Sequence, residues 1–247
     1  MSKRLAIVMA AGQGTRMKSD LPKVLVEICN RPMIHFVLDA IAAGGVERAI
    51  IVVGYRADAV RRALAERPNL AFVEQTEQLG TGHAVQVCRD ELAGHDGPVL
   101  IVTGDSPLTM SQSVATLFEH FERQRPACVL GTLDALDPSG LGRIVRDGDG
   151  QFQAIVEQRD TTDEQRKITE VNMSTYVFDS RQLLHALGRM SNDNDQGEYY
   201  ITDCPGILKA EGKQVLALPV LKPCEALSIN TFEDLRRVED EMRKLGY

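Results

Sequence analysis

Positive charge is scarce in this 247-residue chain, where 28 Lys and Arg stand against 35 Asp and Glu for a formal net charge of −7. A non-specific nucleic-acid binder needs a basic surface to displace counterions, so that class is excluded. An anionic ligand must instead be gripped locally, by a few cations and by backbone N–H groups. Cysteine is also thin. Cys29, Cys88, Cys128, Cys204 and Cys224 are scattered, odd in number and form no CxxC pair, which argues against a disulfide framework or a zinc site. They read as buried thiols of a cytoplasmic protein. Long apolar runs are missing: Leu5 to Ala11 follows Lys3 and Arg4 as a signal peptide would, but the run is short and enters a glycine loop, so it reads as a buried strand. Nothing else approaches a membrane span, and no membrane partner is expected. Internal repeats and linkers are absent too, so the chain reads as one domain, 1–247.

What is present is alternation. Short runs rich in Val and Ile, namely Arg4 to Met9, Ala49 to Val53, Ala71 to Glu74, Val99 to Thr103 and Cys128 to Leu133, read as strands. Between them Pro32 to Ala43, Arg56 to Glu66, Gly82 to Leu92 and Ser111 to Arg123 carry apolar residues three or four apart, as amphipathic helices do. The fold class is therefore α/β, a Rossmann-like mostly parallel sheet flanked by helices across residues 1–133. Residues 134–247 read as an α+β extension. Ile144 to Arg146 with Phe152 to Val156 suggests a hairpin, Gln158 to Lys167 an exposed polar segment, Thr169 to Phe178 a strand and Thr231 to Leu245 a final helix.

After the first strand come Ala10, Ala11, Gly12, Gln13, Gly14, Thr15 and Arg16, then Pro22 and Lys23. Two glycines let backbone N–H groups approach an anion, while Arg16 and Lys23 supply charge to a triphosphate. Met17 stands where a dinucleotide fingerprint needs a third glycine, and the Walker pattern is absent. In doubly wound sheets ligands bind beyond the carboxyl ends of strands, and three further groups of residues fall there. Gln75, Gly80 and Thr81 follow the third strand, with an amide able to pair with a base edge. Asp105 follows the fourth, where a carboxylate suits Mg²⁺, and Asn230 is available as a second ligand. Gly142, Glu157 and Asn172 offer donors and acceptors fit for sugar hydroxyls. His83 reads as a helix-start residue, and Gly197 to Asp203 as a lid or a helix start.

Taken in order, these motifs resemble the N-acetylglucosamine-1-phosphate uridylyltransferase family, the uridylyltransferase domain of a bifunctional bacterial enzyme. The resemblance rests on AAGQGTRM from Ala10, SDLPKVL from Ser19, QTEQLGTGHA from Gln75, GDSPL from Gly104, GLGRI from Gly140, VEQRD from Val156, TTDEQR from Thr161 and QGEYYITD from Gln196. It implies a nucleotide-diphospho-sugar transferase fold, with a nucleotide-binding half over 1–133 and a sugar-binding half over 134–247. UTP and a sugar 1-phosphate are the implied partners and Mg²⁺ the implied cofactor; protein partners stay open. It further implies phosphate contacts from Ala10, Ala11, Gly12, Gly14, Thr15, Arg16 and Lys23, uracil contacts from Gln75, Gly80 and Thr81, metal ligation by Asp105 and Asn230, and sugar contacts from Gly142, Glu157 and Asn172. Arg16 and Lys23 are the implied catalytic cations. The family continues Asn172 with Thr-Gly, whereas Met173 and Ser174 follow here. Another sugar 1-phosphate or nucleotide therefore stays open, as does an inactive nucleotide-sugar-binding module. The family's acetyltransferase β-helix does not follow Tyr247, so acetyl transfer is not expected of this chain.

Overall fold

The computed structural model describes residues 3–14, 21–194, 196–227, 229 and 231–247. In chain order its strands are β1 (Leu5–Met9), a small hairpin β2 (Glu27–Ile28) and β3 (Arg31–Pro32), β4 (Arg48–Val53), β5 (Leu70–Glu74), β6 (Pro98–Thr103), β7 (Cys128–Asp134), β8 (Gly142–Arg146), β9 (Phe152–Val156), β10 (Glu170–Asp179) and β11 (Val215–Leu218). The helices are α1 (Met33–Ala43), α2 (Ala57–Ala63), α3 (Thr81–Gln86), α4 (Arg89–Ala93), α5 (Ser111–Gln124), α6 (Ser180–Leu187), α7 (Asp203–Ala210) and α8 (Phe232–Lys244). Among the described residues no helix is long and apolar enough to cross a membrane.

All five residues of β1 are buried, as a strand covered on both faces requires. Leu5, Ile7 and Met9 enter one core with Val85, Leu92, Leu183 and Leu208, while Ala6 and Val8 enter the opposite core with Val37, Leu117 and Phe118. The two-residue period of one strand thus divides two helix layers. The sheet order is β11-β7-β10-β6-β1-β4-β5. Strands β6, β1, β4 and β5 run parallel, and β11 runs parallel to β7. β10 is antiparallel to both β6 and β7. The layer is therefore not completed within the first 133 residues, because β10 lies in the middle of it. Hairpin β8-β9 hangs from β10.

Two expected helices are shorter than their periodicity implies. The stretch Gly82 to Leu92 divides into α3 and α4. Val85, Cys88 and Leu92 still enter a single core, which is why the period continues across the break. α2 starts only after Arg56, which sits in the left-handed region at φ 48°. The segment 158–167 forms two 3-10 turns and is not wholly exposed, since Thr161 is buried. Helix α6, strand β11 and the β2-β3 hairpin are unanticipated, while the helix start read over Gly197 to Asp203 is that of α7, which begins at Asp203. Pro205 falls in the first turn of α7, where its missing N–H costs nothing.

Candidate active site

The carboxyl ends of β1, β4, β5 and β6 lie side by side, so the loops that follow them share one edge of the sheet. Ala10 and Ala11 are buried there. The Ala10 N–H donates to the Val52 carbonyl at 2.9 Å, and the Ala11 carbonyl accepts from the Tyr55 N–H at 3.1 Å and from Gln78 Nε2 at 2.9 Å. The loop is thus tied to the ends of β4 and β5, while Gly12 faces open space. Gly14 returns at φ +67°, where a Cβ would stand 2.8 Å from the Lys23 Cβ. Thr15 and Arg16 lie outside the described residues, as does Asn230.

Lys23 opens a 3-10 turn whose next two residues, Val24 and Leu25, are buried in the core beside β1. That anchoring brings Lys23 Nζ to 2.7 Å from Asp105 Oδ2 at the end of β6. A cation from one motif and a carboxylate from another therefore meet beside the glycine loop. Both side chains keep solvent contact, at 18% and 26% exposure. No group of three or more His, Cys, Asp or Glu that could hold a metal occurs among the described residues. A lone carboxylate with room for phosphate oxygens and waters still fits Mg²⁺, which needs only one or two protein oxygens.

Gln75 is buried, and its Nε2 donates to the Gly80 carbonyl at 3.1 Å and lies 3.1 Å from His83 Nδ1. Its amide nitrogen braces the loop itself. His83 falls in the first turn of α3. Gly80 precedes the helix, and Thr81 Oγ1 accepts the Ile201 N–H at 3.2 Å. Tyr199 clasps the same loop from the other side: its carbonyl accepts the Gly82 N–H at 2.7 Å and its N–H donates to the Leu79 carbonyl at 2.9 Å. A cleft of about 750 Å³ lies between this loop and the glycine loop, lined by Gln13, Gly14, Tyr55, Gln75 and Glu198.

Gly142, Glu157 and Asn172 converge. A Cβ on Gly142 would stand 3.6 Å from Glu157 Oε2 and 3.7 Å from the Asn172 Cβ. The Thr202 hydroxyl donates to Glu157 Oε1 at 3.0 Å. Burial pushes the Glu157 carboxyl above its usual range and the charge of Asp160 adds to this, against the pull of the Thr202 hydrogen bond. Asp203 is pushed up to about 6 by burial and by the charges of Glu157 and Asp160. A second cleft of about 760 Å³ opens here, with Glu157, Tyr200, Thr202 and Asp203 in its wall. Glu198 to Thr202 thus serves both clefts.

Thr202 and Glu225 were not anticipated. Glu225 is a buried carboxylate that accepts the Met110 N–H at 3.0 Å, the Ser113 hydroxyl at 2.6 Å and the Lys222 N–H at 2.8 Å. It locks the turn Pro223–Ala226 to the start of α5. Its only sequence signal is Pro223 two residues before it, at the first position of a helical turn that Lys222 precedes.

A family model for the MobA-like NTP transferase domain matches residues 6–202. The chain is 41% identical to the bifunctional protein GlmU of Halalkalibacterium halodurans over 99% of its own length and 53% of the relative's. It is 43% identical to GlmU of Limosilactobacillus reuteri over 98% and 53%, and 44% identical to GlmU of Listeria innocua over 93% and 50%. The chain thus spans about half the length of these curated relatives. Among solved structures, a UDP-glucose pyrophosphorylase complexed with UDP-glucose superposes with a TM-score of 0.76 at 18% identity, over 99% of this chain and 100% of that one. A Bacillus anthracis protein described as a glucose-1-phosphate thymidylyltransferase gives 0.81 at 18%, over 99% and 97%. At that identity the likeness is one of fold.

Proposed function

We propose a function on the premise that this chain belongs to the family of MobA-like NTP transferase domains: it transfers UMP from UTP to N-acetylglucosamine 1-phosphate, releasing pyrophosphate. The observation that carries the reading is the 2.7 Å pairing of Lys23 with Asp105 beside the glycine loop, at the edge where a doubly wound sheet binds its ligand. GlmU relatives matched along nearly the whole chain favour N-acetylglucosamine 1-phosphate as the acceptor.

In this reading the sugar's phosphate oxygen attacks the α-phosphorus of UTP in line, the bond to the β-phosphate bridging oxygen breaks, and pyrophosphate leaves. The attacking phosphate is already ionised at neutral pH, so no base or nucleophilic side chain is required, and positioning supplies most of the rate. Ala10, Ala11, Gly12, Gly14 and Thr15 cradle the triphosphate, and Arg16 and Lys23 neutralise charge that grows on it. Gln75, Gly80 and Thr81 border the base, and Gly142, Glu157 and Asn172 hold the sugar. Asp105, with Asn230, would hold Mg²⁺, which when bound supplies charge neutralisation on the phosphates. The chain acts as one domain, its nucleotide half before Asp134 and its sugar half after.

A pyrophosphate-release panel of nucleotides against sugar 1-phosphates tests this. The expected result is release with UTP and N-acetylglucosamine 1-phosphate, lost on chelation and restored by Mg²⁺. Faster release with glucose 1-phosphate or another nucleotide overturns the substrate assignment. Tight UTP binding without release for any pair makes the chain a binding module and overturns the activity.

A further inference from the structure

β10 changes partners midway along its length. From Tyr176 to Asp179 it pairs with β6, whereas Val171 and Asn172 pair with β8. Against β7 on its other side, Asn172 faces Thr132 and Tyr176 faces Leu130. Four steps on one strand therefore match two on the other, and the chain bulges between them. Ser174, in this bulge, has φ +51°. The other described non-glycine residues with positive φ, Cys29, Asn30, Arg56, Asn69 and Arg125, lie in turns or beside element ends. Ser174 is the one inside a strand, where strain points to function more than to chain reversal.

The bulge opens the fork between β6 and β8. Tyr176 faces Ile101, so Thr103, the last residue of β6, lies two positions further toward the bulge, and Asp105 follows it. Of the two residues after Asn172, Met173 turns into the cluster formed by Leu133, Val171 and Leu221. Ser174 stays at the fork, partly exposed, and its N–H donates to Asn172 Oδ1 at 3.2 Å. Beneath it Tyr176 is 0% exposed, and its hydroxyl has no hydrogen-bond partner among the described residues. The Asn172 and Ser174 side chains are the hydrogen-bonding groups that act on that hydroxyl, and the Glu157 charge reaches it. A buried hydroxyl without a well-formed hydrogen bond is a donor that a small shift of Asn172 can satisfy.

We propose that Ser174 is the specificity-determining residue of the sugar site, and that Tyr176 is a positioning residue that donates to Asn172 once a sugar 1-phosphate is bound. This rests on the functional reading above. In this proposal the phosphate of the sugar 1-phosphate lies beside Asp105 and the ring against Asn172, so that the fork between them meets the substituent next to the anomeric carbon, 2-acetamido or 2-hydroxyl. The Cβ and hydroxyl of Ser174 narrow and polarise the space that substituent enters, and Asn172, steadied from below, presents its amide to it.

The test is kcat/KM for N-acetylglucosamine 1-phosphate and for glucose 1-phosphate, with the KM for UTP, in the wild type, Ser174→Gly and Tyr176→Phe. Ser174→Gly should change the ratio between the two sugars about ten-fold or more, leave the KM for UTP within about two-fold, and keep or raise the urea midpoint, since glycine is at ease at this φ. Tyr176→Phe should raise the KM for the preferred sugar phosphate about ten-fold with kcat and the KM for UTP little changed, a split that a merely structural loss does not give. If both folded variants keep the sugar ratio and the KM values within about two-fold of wild type, the proposal is wrong while the activity stands. A wild-type chain that turns over no sugar 1-phosphate overturns the functional reading, and the proposal with it. Should Tyr176→Phe fail to fold, the ratio in Ser174→Gly decides.

Discussion

Lys23 and Asp105 hold each other at 2.7 Å where solvent still reaches both. Such a pair contributes about 0–1 kcal/mol to stability, so the fold does not depend on it. Aimed at a phosphate, the same charges matter far more, because removing one preorganised charge costs about 10²–10³ in rate. Lys23→Ala and Asp105→Asn should therefore each unfold within about 1 kcal/mol of wild type in urea while turnover falls by about 10² or more. Near-normal turnover in a folded Asp105→Asn variant would remove that residue from the site. In the unliganded protein the pair neutralises both partners; nucleotide binding has to part them or share them.

At the scale of elements, the loop before α3 is shaped by Gly80. At φ +102° a Cβ there would stand 2.5 Å from the Tyr199 carbonyl, against backbone rather than a side chain that can swing away. Gly80→Ala should push the Tyr199 segment off the loop, destabilise the protein by about 1–3 kcal/mol and raise the KM for UTP more than the KM for the sugar phosphate. Equal KM changes would show that the loop does not serve the nucleotide in particular. Helix α8 illustrates a local device. Thr231 Oγ1 accepts the Asp234 N–H at 3.1 Å and Asp234 Oδ2 accepts the Thr231 N–H at 2.9 Å, a capping box. Val238 and Met242 then pack with Ile28 and Met33. Thr231→Ala should cost about 1 kcal/mol of unfolding free energy. A urea midpoint equal to wild type would show that packing alone fixes this helix.

Across the whole molecule the second half carries carboxyls held above their usual range, Glu157, Asp203 and Glu225. Asp203, pushed from 3.8 to about 6, binds its proton more tightly when folded. Its contribution to stability is therefore complete below its unfolded value and is lost as pH rises through about 6. Asp203→Asn removes that titration. The difference in stability between the variant and wild type should move in the variant's favour by about 1 kcal/mol between pH ~4 and ~7, a figure reduced from the full titration value because Asp203 is only half-buried. Thermal melts across that range check it, and a difference that moves the other way would mean that Asp203 is held ionised.

The apolar runs of β1, β4, β6 and β7 and the stripes of α1, α5 and α8 were legible in the sequence because burial imposes their period locally. The glycine loop, Gln75 to Thr81 and Asp105 were legible for a related reason, since loops after parallel strands share one edge. Of α7 only a candidate start near Asp203 was legible, and β11 is only four residues long. Nothing local places β10 between β6 and β7, since strand pairing depends on what else needs covering. The meeting of Lys23 with Asp105, and of Thr202 with Glu157, follows from that packing, as does the buried anchor Glu225. The sequence alone determined which groups were available and which strands would carry them. Only the tertiary structure decided which groups touch, because contacts between distant segments are set by the sheet order and by the bulge that opens it.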